Sequence, residues 1–146
     1  MPSARREIRI VNEARNLVLV RREFSAFLDD SPFPKKDKNK LILATDEAIA
    51  NVVEHAYGPE LGLVCVTFML DDEKMTVRVA DNGIKFKPKI SGDPDIKEHI
   101  RLGLKGGLGM FLMRSVMDEV RYSTTSEFNN ELDMVKFYPE ESEEDS

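Results

Sequence analysis

Three polar side chains, Glu47, Asn51 and His55, lie four residues apart in the otherwise apolar segment 46–57. In an α-helix a step of four residues rotates the side chain by only about 40°, so these three would line one stripe. Carboxylate and amide oxygens suit Mg²⁺, which takes few protein ligands and keeps waters and phosphate oxygens. The segment therefore predicts either a ligand site or a set of internally hydrogen-bonded polar groups on a helix whose other side packs into a core.

Composition indicates one soluble globular domain. The chain has 146 residues, of which 41% are apolar and 33% are charged, enough for a hydrophobic core. No apolar run approaches the roughly 18 residues of a membrane span, and residues 1–6 lack the apolar segment of a secretion signal. The single cysteine, Cys65, lies in an apolar run. We expect it to be buried rather than nucleophilic, and we expect a cytoplasmic protein.

The net charge of −6 is concentrated at the C-terminus. Five acidic residues lie within 140–146, which leaves −1 for residues 1–139. A body of that charge offers no basic surface for nucleic acid. We expect residues 1–139 to form a single domain and residues 140–146 to be an acidic disordered tail.

Hydrophobic periodicity and turn residues predict an α+β fold. Strands are predicted at 5–11, 61–70, 74–80, 119–125 and 132–138, and helices from Asn12 to Phe27, from about Asp37 to Gly58, and after Gly107. Asp71-Asp72 and Asn129-Asn130 supply the turns of two hairpins. Because hairpin-related strands neighbour each other while the helices are grouped, we expect a two-layer sandwich with a mixed, mostly antiparallel sheet and helices on one face.

Two glycine-containing segments offer weaker chemical signals. Gly106, Gly107 and Gly109 open a helix after a long irregular segment, and glycine there lets backbone N–H groups approach a phosphate. Neither established phosphate-loop template fits, so a flexible, glycine-rich helix start is an equal alternative. Asp81-Asn82-Gly83 ends a strand, where it is either a plain turn or places Asp81 to accept a hydrogen bond from a ligand amine such as that of adenine.

Taken in order, these three segments resemble the nucleotide-binding boxes of the Bergerat-fold ATPases, the superfamily of gyrase, histidine kinases, and mismatch-repair and chaperone ATPases. Within it, His55-Ala56-Tyr57 and the run 109–120 resemble the anti-sigma-factor serine kinases of bacterial partner-switching systems. The similarity covers nearly the whole chain and is strongest from 41 to 121.

The resemblance implies roles for the residues of the first two boxes. Asn51 would coordinate Mg²⁺ at the nucleotide phosphates, and Glu47 would be the general base for the attacking serine hydroxyl. Asp81 would read the adenine amine, and Gly83 would let the base approach.

The resemblance also implies an ATP lid at 84–105. Gly106, Gly107 and Gly109 would form its hinge and the phosphate cradle, and Lys105 would neutralise phosphate charge, in competition with other lid lysines. The stripe Met110, Met113 and Met117 is expected in the core.

The implied function is a protein serine/threonine kinase that uses ATP and Mg²⁺ to phosphorylate a small antagonist protein and sequesters a sigma factor or similar output partner. A homodimer without nucleic-acid contacts is expected. The alternative is an ATP-binding sequestering switch with weak or no kinase activity, because Lys85 stands where the family usually has a second glycine. A histidine-kinase fragment is disfavoured, since the only other histidine, His99, falls in the lid.

Two details stay open in the sequence. Thr124 and Thr125 compete for the place of the family's usual threonine near the adenine. His55 is interpreted as a helix-end imidazole held by an internal hydrogen bond rather than as a catalytic group.

Overall fold

Five strands and two long helices make up residues 3–84 and 113–139, which are the residues that the computed structural model describes. In chain order the elements are β1 Ala4–Val11, α1 Asn16–Asp29, α2 Lys35–His55, β2 Leu63–Leu70, β3 Lys74–Asp81, β4 Glu119–Ser123 and β5 Asn130–Phe137. Residues 113–116 are also helical. Neither α1 nor α2 has the unbroken apolar stretch that crossing a bilayer takes, and no other helix in these two segments is long enough.

The strands form one sheet in the order β1-β2-β3-β5-β4, and every neighbouring pair is antiparallel. The predicted α+β class is confirmed. The predicted mixed character is wrong for the described strands: because β3 and β5, separated by a long stretch of chain, also run antiparallel, these strands contain no parallel pair.

The helices pack on one face of the sheet. The ring of Phe24 on α1 stacks on Phe68 of β2 with centroids 4.6 Å apart. Phe68 is paired in register with Val77, which is paired with Met134, and all three are fully buried. Each large apolar side chain buried in this way stabilises the fold by roughly 1.5–3 kcal/mol.

Ion pairs hold α1 and α2 side by side. Arg21 Nε lies 2.6 Å from Asp46 Oδ2, and Lys38 Nζ lies 3.9 Å from Asp29 Oδ1. The earlier of these two α1 residues pairs with the later of the two α2 residues, so the helices are antiparallel. The buried side of α2 includes Ile49 and Val53, so α2 is anchored by the core along its length.

The predicted helix start at Asn12 is wrong. Helix α1 begins at Asn16, and its N-cap residue Arg15 makes no side-chain cap bond. The Asn12 amide instead donates to Glu60 O at 3.0 Å and accepts from Gly62 N at 2.8 Å. Asn12 therefore ties the end of β1 to the loop before β2, and a side chain used in that way is not available to cap a helix.

Polar contacts fix the register on both sides of β3. At the predicted turn between β2 and β3, Asp71 Oδ1 accepts from the backbone N–H groups of Glu73 and Lys74 at 2.7 and 2.9 Å. On the sheet face away from the helices, Arg78 of β3 makes two hydrogen bonds, of 2.8 and 3.1 Å, to Asp133 directly opposite on β5. This register brings Asp81, the last residue of β3, opposite Asn130, the first residue of β5.

Cys65 is buried on β2, as predicted. Burial raises the pKa of its thiol. Since the thiolate is the reactive form, a buried thiol with a raised pKa is a structural residue and not a nucleophile.

Candidate functional site

The polar stripe predicted on α2 lies at the protein surface. Glu47 and His55 are exposed and Asn51 is half-buried, whereas the neighbouring Ala48 and Ile49 are buried. Within the described residues, neither the Glu47 carboxylate nor the Asn51 side-chain amide has a hydrogen-bond or ion-pair partner. Internal hydrogen bonds between the described residues therefore do not explain the two side chains, and this favours the ligand interpretation.

His55 does not have the internal hydrogen bond that was predicted for it, as far as residues 3–84 and 113–139 are concerned. Its imidazole is exposed, and the nearest charged group is the carboxylate of Glu54 at 3.9 Å, which is exposed as well. At that distance the two groups do not form a hydrogen bond.

Asp81 is a buried carboxylate at the end of β3, with 3% of the residue exposed. Its Oδ1 accepts a hydrogen bond from the backbone N–H of Gly83 at 2.9 Å and from Asn130 Nδ2 at 2.8 Å. Burying a carboxylate is unfavourable unless such donors compensate for the lost water. Asp81 is thus held in one place by its own turn and by the neighbouring strand.

Gly83 is a glycine because of the backbone of α2. A Cβ at this position would lie 1.9 Å from the carbonyl oxygen of Ala56, which is far inside van der Waals contact. The same oxygen accepts a hydrogen bond of 2.7 Å from Ile84 N. The turn after β3, at Gly83 and Ile84, and the end of α2 are therefore in direct backbone contact.

Tyr57 makes a second connection between the end of α2 and the turn. Its hydroxyl accepts from Asn82 N at 2.9 Å and donates to Leu63 O at 2.6 Å. One phenol thus links the residue after β3 to the first residue of β2.

Asn130, the first residue of β5, and Asn129 just before it also hold the turn that follows Asp81. The sequence patterns did not predict this role. Asn130 Nδ2 donates to Asp81 Oδ1 and to Ile84 O, both at 2.8 Å. Asn129 donates through its backbone N–H to Asn82 Oδ1 at 2.8 Å and through Nδ2 to Gly83 O at 3.1 Å. The sequence showed a polar turn between two strands, and only the β3–β5 register shows that it faces Asp81.

Neither candidate threonine makes a hydrogen bond to Asp81. Thr124 Oγ1 donates to Asn129 O at 3.0 Å, and Thr125 Oγ1 accepts from the backbone N–H groups of Glu127 and Phe128. Both hydroxyls close the turn between β4 and β5. The residue that faces Asp81 from the neighbouring strand is Asn130.

Several predicted residues lie outside the described part of the chain. They are Lys85, Lys105, Gly106, Gly107, Gly109 and Met110, with all of the lid 84–105 except Ile84. The other two methionines of the stripe, Met113 and Met117, are buried in the core, as predicted.

The candidate residues Asn51 and Glu47 lie along α2, at increasing distance from the end of the helix that contacts Gly83. From the rise of 1.5 Å per residue, Asn51 lies about 7.5 Å and Glu47 about 13.5 Å along the axis from Ala56, against which Gly83 packs. Among the described residues, no group of three or more His, Cys, Asp or Glu side chains could hold a metal ion by itself. Mg²⁺ bound to a nucleotide does not require such a group, because phosphate oxygens and waters fill most of its coordination shell. The side-chain oxygen of Asn51 therefore fits a phosphate-bound Mg²⁺.

The chain belongs to the family of histidine kinase-like ATPase domains, whose sequence profile matches residues 10–136. This confirms the superfamily resemblance found in the sequence.

Relatives within the family narrow the comparison. The chain is 28% identical over 120 residues to proteins named serine-protein kinase RsbW from Bacillus mycoides and Bacillus cereus, over 79% of this chain and 74% of each relative. Part of the crystal structure of the RsbU and RsbW domains of Rv1364c from Mycobacterium tuberculosis has a similar fold, with a TM-score of 0.62 at 16% identity. That match covers 94% of this chain and 32% of the longer mycobacterial chain. The name of the Bacillus relatives agrees with the resemblance to serine kinases.

We expect Gly83→Ala to destabilise the fold by about 1–3 kcal/mol, the usual cost of an unaccommodated methyl group, and to abolish nucleotide binding by pushing the turn off Ala56. Gly58→Ala is the control. Gly58 has a φ of +59° with open space at its Cβ, so only backbone strain of about 1 kcal/mol is added. Thermal unfolding and nucleotide titration measure both effects. A Gly83→Ala protein with unchanged nucleotide affinity would contradict the role of this contact.

Proposed function

We propose that the chain is a Mg-ATP-dependent protein serine/threonine kinase of the anti-sigma-factor type. The observation that carries this proposal is the buried Asp81 beside the end of α2, with Asn51 and Glu47 farther along the same helix and without a hydrogen-bond or ion-pair partner among the described residues. The kinase name of the Bacillus relatives supports the same activity.

The nucleotide would lie along α2 with its base at the Asp81 end. Asp81 would accept a hydrogen bond from the adenine amine, beside the turn that lies against Ala56. Asn51 would hold Mg²⁺, which supplies neutralisation of phosphate charge and alignment of the transferred group. Because α2 is anchored in the core through Ile49 and Val53, these side chains are presented by a rigid element.

Glu47 would act as the general base. Its exposed carboxylate, with no partner among the described residues, is free to orient the serine hydroxyl of a protein substrate and to accept its proton. Phosphoryl transfer depends mainly on positioning and charge neutralisation, so one oriented carboxylate is sufficient for the proton.

The remaining parts of the proposal concern residues outside the described segments. Gly106, Gly107 and Gly109 would cradle the phosphates and hinge a lid formed by 84–105, and Lys105 would contribute positive charge there. The second candidate function is an ATP-binding sequestering switch with weak or no phosphotransfer, and it is favoured by Lys85 in place of the family's glycine.

The substrate would be a small antagonist protein, and the output partner a sigma factor or a similar protein. We further propose that the chain acts in the cytoplasm. Contact with nucleic acid is not expected, because residues 1–139 carry a net charge of only −1.

Glu47→Ala should retain Mg-ATP binding and lose phosphotransfer by roughly 10²–10⁴-fold, the usual contribution of a positioned general base. Asn51→Ala should weaken binding and its dependence on Mg²⁺. Glu54→Ala removes another exposed carboxylate of α2 and should change neither. Calorimetry with ATP, with and without Mg²⁺, and transfer of labelled phosphate to the antagonist are the measurements.

The outcomes separate the two candidate functions. Saturable ATP binding without phosphotransfer in the unmodified protein would establish the sequestering switch. No binding at millimolar ATP would refute both, and equal loss of binding and transfer in Glu47→Ala would remove its role as base.

We expect the protein to be a homodimer, because self-association is implied by the resemblance to the partner-switching kinases. Light scattering should then give twice the chain mass of 16.6 kDa. A mass that stays at the single-chain value across the micromolar range would contradict the dimer and leave the kinase proposal intact.

A further inference from the structure

We propose that Asn130 is a positioning residue that gives the site its preference for a purine carrying a 6-amino group. It would do so by orienting the carboxylate of Asp81. This inference rests on the proposed nucleotide binding and adds a residue to which neither the sequence motifs nor the comparisons assign a role.

The two carboxylate oxygens of Asp81 differ in their hydrogen bonds. Both of its hydrogen bonds within the described residues go to Oδ1, one from Gly83 N and one from Asn130 Nδ2. A carboxylate oxygen has two lone pairs, so Oδ1 is saturated by these two donors. Oδ2 is then the oxygen that accepts from a ligand amine.

The side chain at position 130 must donate twice. Its Nδ2 bonds Asp81 Oδ1 and Ile84 O, each at 2.8 Å, and so closes the turn that runs from β3 to Ile84. A side-chain amide has two N–H donors on one nitrogen, whereas a threonine hydroxyl has one donor and an aspartate has none. Asparagine suits this position because it holds the carboxylate and the turn at the same time.

Without Asn130, one of the two bonds that fix the carboxylate plane is lost. The carboxylate could then rotate about χ2, for which the preference is broad, and Oδ2 would no longer point in one direction. The variant should therefore lose the affinity that comes from the hydrogen bond to the base amine, while the contacts of the phosphates stay unchanged. A hydrogen bond to a charged acceptor is worth about tenfold or more in affinity.

The test compares ATP with purine riboside triphosphate, which lacks only the 6-amino group. Dissociation constants for both are measured by calorimetry with Mg²⁺ on the unmodified protein, Asn130→Ala and Asn12→Ala. Asn12 is the matched control because its amide also makes two hydrogen bonds between loops, to Glu60 and Gly62, without touching Asp81. The ratio of the two constants is the readout, since a smaller folded fraction alters both equally.

We expect the unmodified protein and Asn12→Ala to prefer ATP by about tenfold or more, and Asn130→Ala to bind both nucleotides within about threefold of each other. A full ATP preference in Asn130→Ala would overturn the inference while leaving the kinase proposal in place. Equal binding by the unmodified protein would also overturn it, because the amine would not be read. Failure of the unmodified protein to bind either nucleotide would instead refute the proposed function.

If Asn130→Ala does not fold, Asn130→Leu keeps the size of the side chain but has no donor, and it serves as the second variant. We expect it to fold and to show a reduced ATP preference. An unchanged preference in that variant would equally overturn the inference.

Discussion

The arrangement of the site depends on one backbone contact, between the carbonyl oxygen of Ala56 and the N–H of Ile84. At 2.7 Å this hydrogen bond joins the end of α2 to the residue after the turn, and the approach is so close that no Cβ fits at Gly83. Because both partners are main-chain atoms, this hydrogen bond does not depend on any side-chain rotamer. The turn that carries Asp81 is therefore fixed relative to Asn51 and Glu47 by the main chain.

The buried carboxylate is tolerated because two segments of the chain supply donors to it. The turn supplies Gly83 N and β5 supplies Asn130, and the end of α2 lies against the turn at Gly83. The register that aligns β3 with β5 is reinforced on the opposite face by Arg78 and Asp133. That ion pair is partly exposed and contributes modestly to stability, but it fixes the alignment of β3 with β5, and a shift of one residue would turn Asn130 away from Asp81.

Local patterns in the sequence predicted the parts of the site that lie within one element. Steps of four residues identified the face of α2 that carries Glu47 and Asn51, and alternation in the strands identified the core. Contacts between segments that are distant in the sequence were not predicted. Asn129 and Asn130 look like any polar turn until the strand register is known, and Asn12 resembles a helix cap because its bonds to Glu60 and Gly62 are not local. The parallel component expected in the sheet failed for the same reason, since strand direction is set by long-range pairing.

The central claim is that a nucleotide lies along α2 between Glu47 and the turn at Asp81. Backbone amide chemical shifts of the isotope-labelled protein, recorded while Mg-ADP is added, test it most directly because every described position away from proline is a probe. The account predicts that the largest changes fall on residues 47–57 and 81–84, and that Arg9, Thr67 and Arg121, on the face of the sheet away from the helices, stay unchanged. Changes centred on that opposite face, with residues 81–84 unaffected, would contradict it.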